Sequence, residues 1–268
     1  MDEDFLVSEQ IERAALTDLH AAASESVHEQ LGLRLETIGT ALVSIATGEP
    51  CNILLNRTVG LGIETPADLD TIQAVLACYE AARISDYYLH LHPKARPIEL
   101  KAWLTQAGLK KGRGWMKFLR HTQAPPKAQT DLQVQRIGPE HAEEFGRIAA
   151  HCFDFSTAAI PLFESLIGRP DWLLYMSFDG GKPTGTGTLF VQDDVAYLDW
   201  GATLPEYRNR GGQGAVMSRR ISDAIDLGCR LLVTMTGEAV PGDPQHSYKN
   251  ILRAGFRPTY LRENYVPA

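Results

Sequence analysis

A glycine-rich segment in the second half of the chain has the residue types that bind a phosphate group. Residues 200–215 read WGATLPEYRNRGGQGA and follow an apolar, strand-like run. Gly211, Gly212 and Gly214 allow a tight turn and a close approach of the backbone to a ligand. The helix predicted to begin there has first-turn amides without intrahelical partners, and its dipole adds partial positive charge. This helix end can therefore bind a phosphate.

Two arginines add full positive charge to this segment. Arg208 and Arg210 stand just before the glycines, and two cations beside a helix N-terminus suit a pyrophosphate. The segment lacks the GxxxxGKS/T spacing of a Walker loop and the GxGxxG spacing of a dinucleotide fingerprint. The alternative interpretation is an ordinary glycine-rich connection whose arginines are solvated.

In this strand–loop–helix context the residues resemble the GNAT (GCN5-related) family of N-acetyltransferases. The family signature is Arg/Gln-x-x-Gly-x-Gly/Ala, commonly preceded by a Pro-Glu-Tyr-Arg turn, and the chain reads PEYRNRGGQGA from position 205. Arg208 and Gly211 match, Gln213 stands where glycine or alanine is usual, and Gly214 keeps a close approach possible. The family's closing Gly-Phe is matched within 250–256. The resemblance covers the second half of the chain, and the first half only in the order of elements.

The resemblance implies a fold in which two neighbouring parallel strands, here 195–203 and 231–236, splay apart. The pantetheine arm of acetyl-CoA, the implied co-substrate, would lie between them, and no metal is implied. Backbone groups near residues 201–203 would bond the arm and polarise the thioester carbonyl; packing beneath a helix is the alternative reason for small residues there. The implied cofactor-binding residues are Gly201, Ala202, Thr203, Arg208, Arg210, Gly211, Gly212, Gln213, Gly214, Ala215 and Asn250.

The implied reaction moves an acetyl group directly to a primary amine of a small molecule or peptide. It needs a base for the ammonium and an acid for the leaving thiolate. Asp199, near the end of the splayed strand, is the base candidate, directly or through water; a strand-end salt bridge is the alternative. The family often places its acid, a tyrosine, at the position of Ile251. Tyr248 lies one helical turn earlier and is the acid candidate, with Ser247 and His246 as weaker ones.

The elements that must position these residues follow from hydrophobic periodicity and turn residues. The first half predicts helices at 8–32, 65–79 and 97–107 and strands at 33–45, 53–62, 86–92 and 113–120. The second half predicts helices at 140–152, 161–166 and 247–254, a helix that ends near 227, and strands at 172–178, 184–192, 195–202, 231–236 and 260–266. We therefore expect an α/β (α+β) protein.

The order of elements repeats, which predicts two GNAT-like domains, each a mixed twisted sheet flanked by helices. Residues 124–130 (APPKAQT) have prolines, small polar residues and no periodicity, and they are the predicted linker. The predicted domains are 1–123, a degenerate GNAT-like copy, and 131–268, the catalytic copy that binds acetyl-CoA. Matching Ala-Gly helix ends at 107–108 and 254–255 favour an internal duplication.

The first half lacks a comparable cradle. Its corresponding helix is predicted to begin after Glu64, with Asp68 in the first turn, and these carboxylates would repel a pyrophosphate. This copy is expected to have lost cofactor binding and to shape the acceptor cleft or the interface between the halves. His90 and His92 share one strand face, but no third metal ligand is evident, so a pair on an edge strand is the favoured interpretation.

The composition favours a cytoplasmic protein, and the resemblance implies a small-molecule or peptide amine as its partner. The formal net charge of −7 lacks the cationic excess of a nucleic-acid binder. No apolar run is long enough to span a membrane, and the acidic N-terminus lacks the apolar core of a signal peptide. Four scattered cysteines indicate reduced, buried thiols. We expect a monomer or a homodimer.

The sequence is compatible with three functions. The leading hypothesis is an acetyl-CoA-dependent N-acetyltransferase with one active and one degenerate domain. A non-catalytic acyl-CoA sensor or scaffold is favoured by Ile251, which replaces the usual tyrosine. A tandem-GNAT aminoacyl transferase that uses aminoacyl-tRNA is disfavoured by the acidic charge balance.

Overall fold

The computed structural model describes residues 2–268. The helices are α1 (Asp2–Ala22), α2 (Glu25–Leu31), α3 (Leu69–Ala82), α4 (Leu100–Gln106), α5 (Ala142–Cys152), α6 (Ile160–Glu164), α7 (Gly212–Asp226) and α8 (His246–Arg253). The strands are β1 (Leu33–Ile38), β2 (Ala41–Ala46), β3 (Arg57–Val59), β4 (Tyr88–Leu91), β5 (Leu109–Lys111), β6 (Trp115–Arg120), β7 (Gln133–Arg136), β8 (Trp172–Asp179), β9 (Lys182–Gln192), β10 (Val195–Thr203), β11 (Leu231–Gly237) and β12 (Arg257–Pro267). The predicted α/β class is confirmed.

The chain divides into two compact units. Unit 1 comprises the chain up to Ala21, Glu25–Met116 and Tyr260–Ala268, and unit 2 comprises Ala22–Ser24 and Lys117–Thr259. Most of β12 is therefore part of unit 1, although it follows all of unit 2 in the sequence. The predicted domains, 1–123 and 131–268, place β12 with the second half of the chain, and those boundaries stay a prediction.

Unit 1 is built on a mixed sheet with the strand order β1-β2-β3-β4-β12, and β5 pairs with β12. Only the pair β3 and β4 is parallel among the registers that the structure describes for this sheet. Helix α3 contributes the fully buried Val75 and Tyr79 to a core with Val43, Ile45 and Leu89. This apolar core joins α3 to the sheet.

Helix α1 is joined to unit 1 by buried charges. Glu9 and Glu12 are 5% and 1% exposed. Arg262 of β12 donates to Glu12 at 2.7 and 3.0 Å, and Arg57 of β3 donates to Glu12 at 3.0 Å. The Tyr260 hydroxyl donates to Glu9 at 2.6 Å, and burial together with the Glu9 carboxylate raises the pKa of Tyr260. Two carboxylates thus balance two guanidinium groups, the condition under which buried charge is tolerated.

Unit 2 is built on an antiparallel meander that ends in one parallel pair. Its strand order is β6-β11-β10-β9-β8-β7. The strands β7 to β10 pair antiparallel in sequence, and β10 pairs with β11 in parallel. Helices α5 and α7 both pack against β9 and β10. The order β10-α7-β11-α8 repeats the order β3-α3-β4-α4 of unit 1.

Two predicted strands of the first half are wrong in extent. Residues 33–45 form a hairpin of β1 and β2 rather than one strand, because Gly39 adopts a φ of 56° and turns the chain. Within 53–62 only Arg57–Val59 is a strand, and it ends at Gly60, whose φ is 83°. In both cases apolar residues indicated burial, and a glycine in the left-handed region ended the strand.

Two further expectations need correction. Strand β4 lies between β3 and β12, so His90 and His92 are not on an edge strand, and they are only 1% and 4% exposed. The Nδ1–H group of His90 donates to Oδ1 of Asn264 at 2.5 Å. The four cysteines are free thiols, but of the four only Cys229 is buried: Cys51 is exposed, and Cys78 and Cys152 are half-buried.

The surface carries few large apolar side chains. Those of the described residues that are exposed are Leu6, Leu69, Ile98, Leu227 and Leu252. Within residues 2–268, no helix has both the length and the apolar content needed to cross a membrane. The same part of the chain holds no group of three His, Cys, Asp or Glu side chains arranged for a metal ion.

Replacing Glu12 by alanine should destabilise the protein strongly, because two buried guanidinium groups would then share one carboxylate. We expect the free energy of unfolding to fall by about 3–5 kcal/mol, measured by chemical denaturation. The control is Glu143→Ala, which removes an exposed ion pair with Arg147 and should cost less than about 1 kcal/mol. Equal losses in the two variants would contradict this account of α1.

Candidate functional site

Strands β10 and β11 stop pairing part of the way along their length in unit 2. Their parallel pairing runs from Val195 and Leu231 to Tyr197 and Val233, whereas β10 continues to Thr203 and β11 to Gly237. At the divergence the Thr234 hydroxyl donates to the Leu198 carbonyl at 2.9 Å, in place of a ladder hydrogen bond. The predicted splayed parallel pair is confirmed.

A β-bulge in β10 follows the point where this pairing stops. The pairing of β10 with β9 shifts register between Asp199 and Ala202, and Trp200 adopts a φ of 47°. This left-handed conformation is unfavourable for a bulky residue. The buried Trp200 ring is held edge-on by Phe153 and Phe163, with centroids 5.2 and 4.9 Å away. Aromatic packing therefore holds the bulge in place.

The backbone at Gly201 and Ala202, within and just after the bulge, is closely packed against Arg220 and β9. A Cβ on Gly201 would lie 3.1 Å from Nη2 of Arg220, and a Cβ on Gly185 of β9 would lie 2.5 Å from the Ala202 carbonyl oxygen. The small residue at position 201 is thus explained by Arg220, as the packing alternative anticipated. Thr203 is half-buried at the end of β10.

The predicted cradle is the N-terminus of α7. Gly211 is the N-cap, with a φ of 78° and no side-chain cap, and the Ala215 N–H donates to its carbonyl at 3.0 Å. The first-turn amides of Gly212, Gln213 and Gly214 thus lack a capping side chain. A Cβ on Gly214 would meet no atom within 4 Å, so the helix end has room for a bound anion.

The predicted linker packs against this cradle. A Cβ on Gly211 would lie 2.2 Å from the Gln129 carbonyl oxygen, and one on Gly212 would lie 2.8 Å from the Leu132 side chain. The Thr130 hydroxyl donates to the Arg210 carbonyl at 2.6 Å. Two of the three glycines are therefore required by protein packing, and Gly214 alone of the three faces open space.

The two arginines of the cradle differ in their partners. Arg210 donates to Asp179 at 2.6 Å and also to Asp131, and these hydrogen bonds hold the pKa of both carboxyl groups below their usual range. Its charge is therefore balanced within the protein. Arg208 is exposed, and its Nε donates to the Thr203 carbonyl at 3.4 Å.

Two predicted cofactor-binding residues contact each other. Nδ2 of Asn250 in α8 donates to Oε1 of Gln213 in the first turn of α7, at 2.5 Å. Helix α8 is anchored in turn by Arg120, which donates to the carbonyl of Ala254, the C-cap residue that follows the helix. The cradle and α8 are thus connected by side chains from distant parts of unit 2.

The acid and base candidates lie on separate elements. Asp199 is half-buried, and its Oδ1 accepts from its neighbour's backbone, the Trp200 N–H, at 2.8 Å. Tyr248 in α8 is half-buried, with its ring edge-on to Phe118 at 4.9 Å. Ile251 is 3% exposed and belongs to the core. Position 251 therefore serves packing in this chain.

Ser247 and His246, the weaker acid candidates, are both exposed at the start of α8. Tyr248 is the first half-buried side chain in that helix. Of the three candidates, Tyr248 is therefore the one that is partly shielded from solvent.

Arg220 lies at this site, although its residue type and position in the sequence did not single it out. It is 2% exposed and lies beneath the bulge, where its Nη1 donates to the carbonyls of Thr188 and Asp199 at 3.0 Å each. Burial lowers its pKa to about 10. The available signal was its place within the apolar stripe of α7, one residue before the fully buried Ile221.

Unit 1 closes the corresponding helix end with its own carboxylate. Asp68 is the N-cap of α3, and its side chain accepts from the Thr71 N–H at 2.8 Å. The hydrogen bonds from Thr71 lower the pKa of Asp68. An anionic cap occupies the position where the N-terminus of α7 has only Gly211, which agrees with the expected absence of a cradle in the first half.

No protein-family model and no curated protein matches the sequence. Solved structures do match. A GCN5-related N-acetyltransferase from Kribbella flavida has a TM-score of 0.62 at 15% identity, covering 93% of this chain and 95% of that one. One from Sphaerobacter thermophilus has a TM-score of 0.60 at 14% identity, covering 84% and 76%. A tandem GNAT protein from the clavulanic acid biosynthesis pathway has a TM-score of 0.52 at 15% identity, covering 78% and 73%.

The chain therefore has the fold of the GCN5-related N-acetyltransferases, and the predicted fold is confirmed. At these identities the likeness extends to the fold alone.

Two glycine substitutions should show which glycine of the cradle is required by protein packing and which one faces open space. Gly211→Ala places a Cβ against the Gln129 carbonyl in a left-handed conformation, so we expect a stability loss of about 1–3 kcal/mol. Gly214→Ala adds a Cβ in open space within a helix and should leave stability unchanged or raise it by up to about 1 kcal/mol. Thermal unfolding measures both, and a destabilised Gly214→Ala variant would be the contrary result.

Proposed function

We propose that this protein is an acetyl-CoA-dependent N-acetyltransferase that transfers an acetyl group to a primary amine of a small molecule or peptide. The observation that carries the proposal is the uncapped N-terminus of α7, at Gly211, in the same unit as the diverging strands β10 and β11. An anion site and an opening in a sheet together suit a long ligand with a pyrophosphate at one end. The GNAT fold supports this assignment.

The residues present fit acetyl-CoA. The first-turn amides of α7 and the exposed Arg208 would hold the pyrophosphate, and Gly214 leaves room for it. Arg210 is tied to two carboxylates, so we assign it to holding the loop rather than to the phosphate. The backbone of 201–203 would bond the pantetheine arm. Gln213 and Asn250 would border the arm where α7 meets α8.

The chemistry then requires one proton acceptor and one proton donor from the chain. Bound acetyl-CoA supplies an acetyl thioester, whose carbonyl carbon bonds to the amine nitrogen as the carbon–sulfur bond breaks. The Asp199 carboxylate takes a proton from the amine, directly or through water, and the Trp200 N–H keeps that carboxylate oriented. The Tyr248 hydroxyl gives a proton to the thiolate. The protein recovers its starting state when Asp199 returns its proton to solvent and Tyr248 takes one up.

Unit 1 would act without binding a cofactor. Its order of elements repeats that of unit 2, but Asp68 fills the helix end that would bind a phosphate. We infer a duplicated chain in which the first copy is degenerate and the second catalytic, with the join between them at the predicted linker, residues 124–130. A stoichiometry of one acetyl-CoA per chain follows from this inference.

Calorimetric titration tests the cofactor assignment. The wild type should bind acetyl-CoA and CoA with one site per chain, and Arg208→Gln should weaken binding about ten- to hundredfold, because a charge-assisted hydrogen bond to phosphate is lost. Arg219→Gln is the matched control, since Arg219 is a partly exposed arginine of α7 that pairs with Asp223. A wild type that binds neither compound would overturn the proposal.

Thiol release across a panel of primary amines tests the transfer. With an accepted amine, Asp199→Asn and Tyr248→Phe should each lower kcat by about 10²–10⁴ and leave CoA binding intact. Binding of acetyl-CoA without release for any amine would indicate the alternative function, an acyl-CoA sensor or scaffold. Turnover undiminished in Tyr248→Phe would remove that residue as the acid.

A further inference from the structure

Arg220 occupies a space that two glycines create beneath the sheet of unit 2. Its side chain extends from α7 toward β9 and β10 and is 2% exposed. A Cβ on Gly187 of β9 would lie 2.8–3.0 Å from the side chains of Val216 and Arg220, and one on Gly201 of β10 would lie 3.1 Å from Nη2 of Arg220. Any larger residue at either position would press on the guanidinium group.

The guanidinium group bonds to the sheet where the ladder is interrupted. Asp199 and Thr188 form the last register pair before the bulge, and Nη1 of Arg220 donates to the carbonyls of both at 3.0 Å. A bulge disrupts the local ladder of hydrogen bonds, and buried carbonyls need a partner. Arg220 supplies that partner from α7, so the helix and the bulge are fixed to each other.

Burial of the charged Arg220 side chain costs free energy. An apolar side chain could fill the same space without that cost. A cation out of water is unfavourable unless it is well paired. Here Nη1 bonds to neutral carbonyls and Nε is buried without a hydrogen-bond partner among the described residues, while Asp199 and Tyr175 act on the guanidinium group electrostatically. Burial lowers the pKa of Arg220 to about 10, so the group stays cationic at neutral pH. The positive charge therefore lies directly behind Gly201.

We propose that Arg220 is a positioning residue of the active site: it holds the bulge of β10 and places a positive charge behind the backbone of 201–203. The proposal rests on the proposed function, in which that backbone polarises the acetyl carbonyl. Negative charge grows on the carbonyl oxygen as the amine attacks, and a fixed positive charge in a water-poor site stabilises it. Arg220 acts through the backbone and touches neither acetyl-CoA nor the amine.

The infrared absorption of the bound thioester carbonyl tests this role without turnover. Acetyl-CoA labelled at the carbonyl carbon should absorb at lower frequency on the wild type than in water, because the site polarises the bond. Arg220→Met should lose most of that shift, Arg220→Lys should retain part of it, and the control Arg219→Gln should retain all of it. Affinity for CoA, measured by calorimetry, should change less than about threefold in each variant, since α7 still presents its first-turn amides.

Kinetics with an accepted amine provide the second readout. Arg220→Met should lower kcat about ten- to hundredfold with little change in the KM for acetyl-CoA, which is less than the loss for a direct oxyanion donor. Gly201→Ala keeps the arginine but pushes its guanidinium group away, and it should lower kcat in the same direction. This variant keeps the proposal testable if Arg220→Met does not fold.

Two results would overturn the proposal. One is a carbonyl frequency and kcat in Arg220→Met equal to those of the wild type. The other is a loss of CoA affinity and thermal stability that accounts for the whole fall in kcat, which is the pattern of a merely structural residue. A wild type that binds no acetyl-CoA would overturn the proposed function itself, and calorimetry shows that outcome before any variant is compared.

Discussion

Parallel pairing between β10 and β11 stops at Tyr197 and Val233, and the other features of unit 2 are arranged around that divergence. A strand that leaves its neighbour loses ladder partners for backbone groups that are still buried. Side chains replace them: Thr234 donates to the Leu198 carbonyl, and Arg220 donates to that of Asp199. Because these bonds satisfy the backbone from outside the ladder, the sheet can stay open at this point.

The two units have the same order of elements but differ in the charge at the N-terminus of the corresponding helix. In unit 1 the helix after the first parallel strand begins with Asp68, whose carboxylate satisfies the first turn. In unit 2 the corresponding helix begins with Gly211 and no side-chain cap. The buried charges differ as well, since unit 1 pairs Glu12 with Arg57 and Arg262 to hold α1. Two sheets of similar topology are therefore followed by one helix whose N-terminus is capped by a carboxylate and one whose N-terminus has no side-chain cap.

The open helix end depends on a segment that looks like a linker. Gln129 and Thr130 contact the loop at Gly211 and Arg210, and Arg210 also bonds to Asp131. These contacts hold the glycine loop in its turned conformation, with φ at Gly211 in the left-handed region. Prolines, small polar residues and the lack of periodicity predicted that the segment is a linker, and in the structure its backbone also contacts the glycine loop.

From the sequence alone, the strand–loop–helix segment at 200–215, the negative charge of Asp68 near the start of α3 and the order of elements could be predicted, because turns and periodicity depend on residues within a few positions of each other. The tertiary structure decided that residues 260–268 join unit 1, that Arg210 is neutralised by distant aspartates, and that Arg220 enters the sheet. Each of these three features depends on contacts between residues that are far apart in the sequence. Such contacts form only when the strands pair and the core packs around the buried charges.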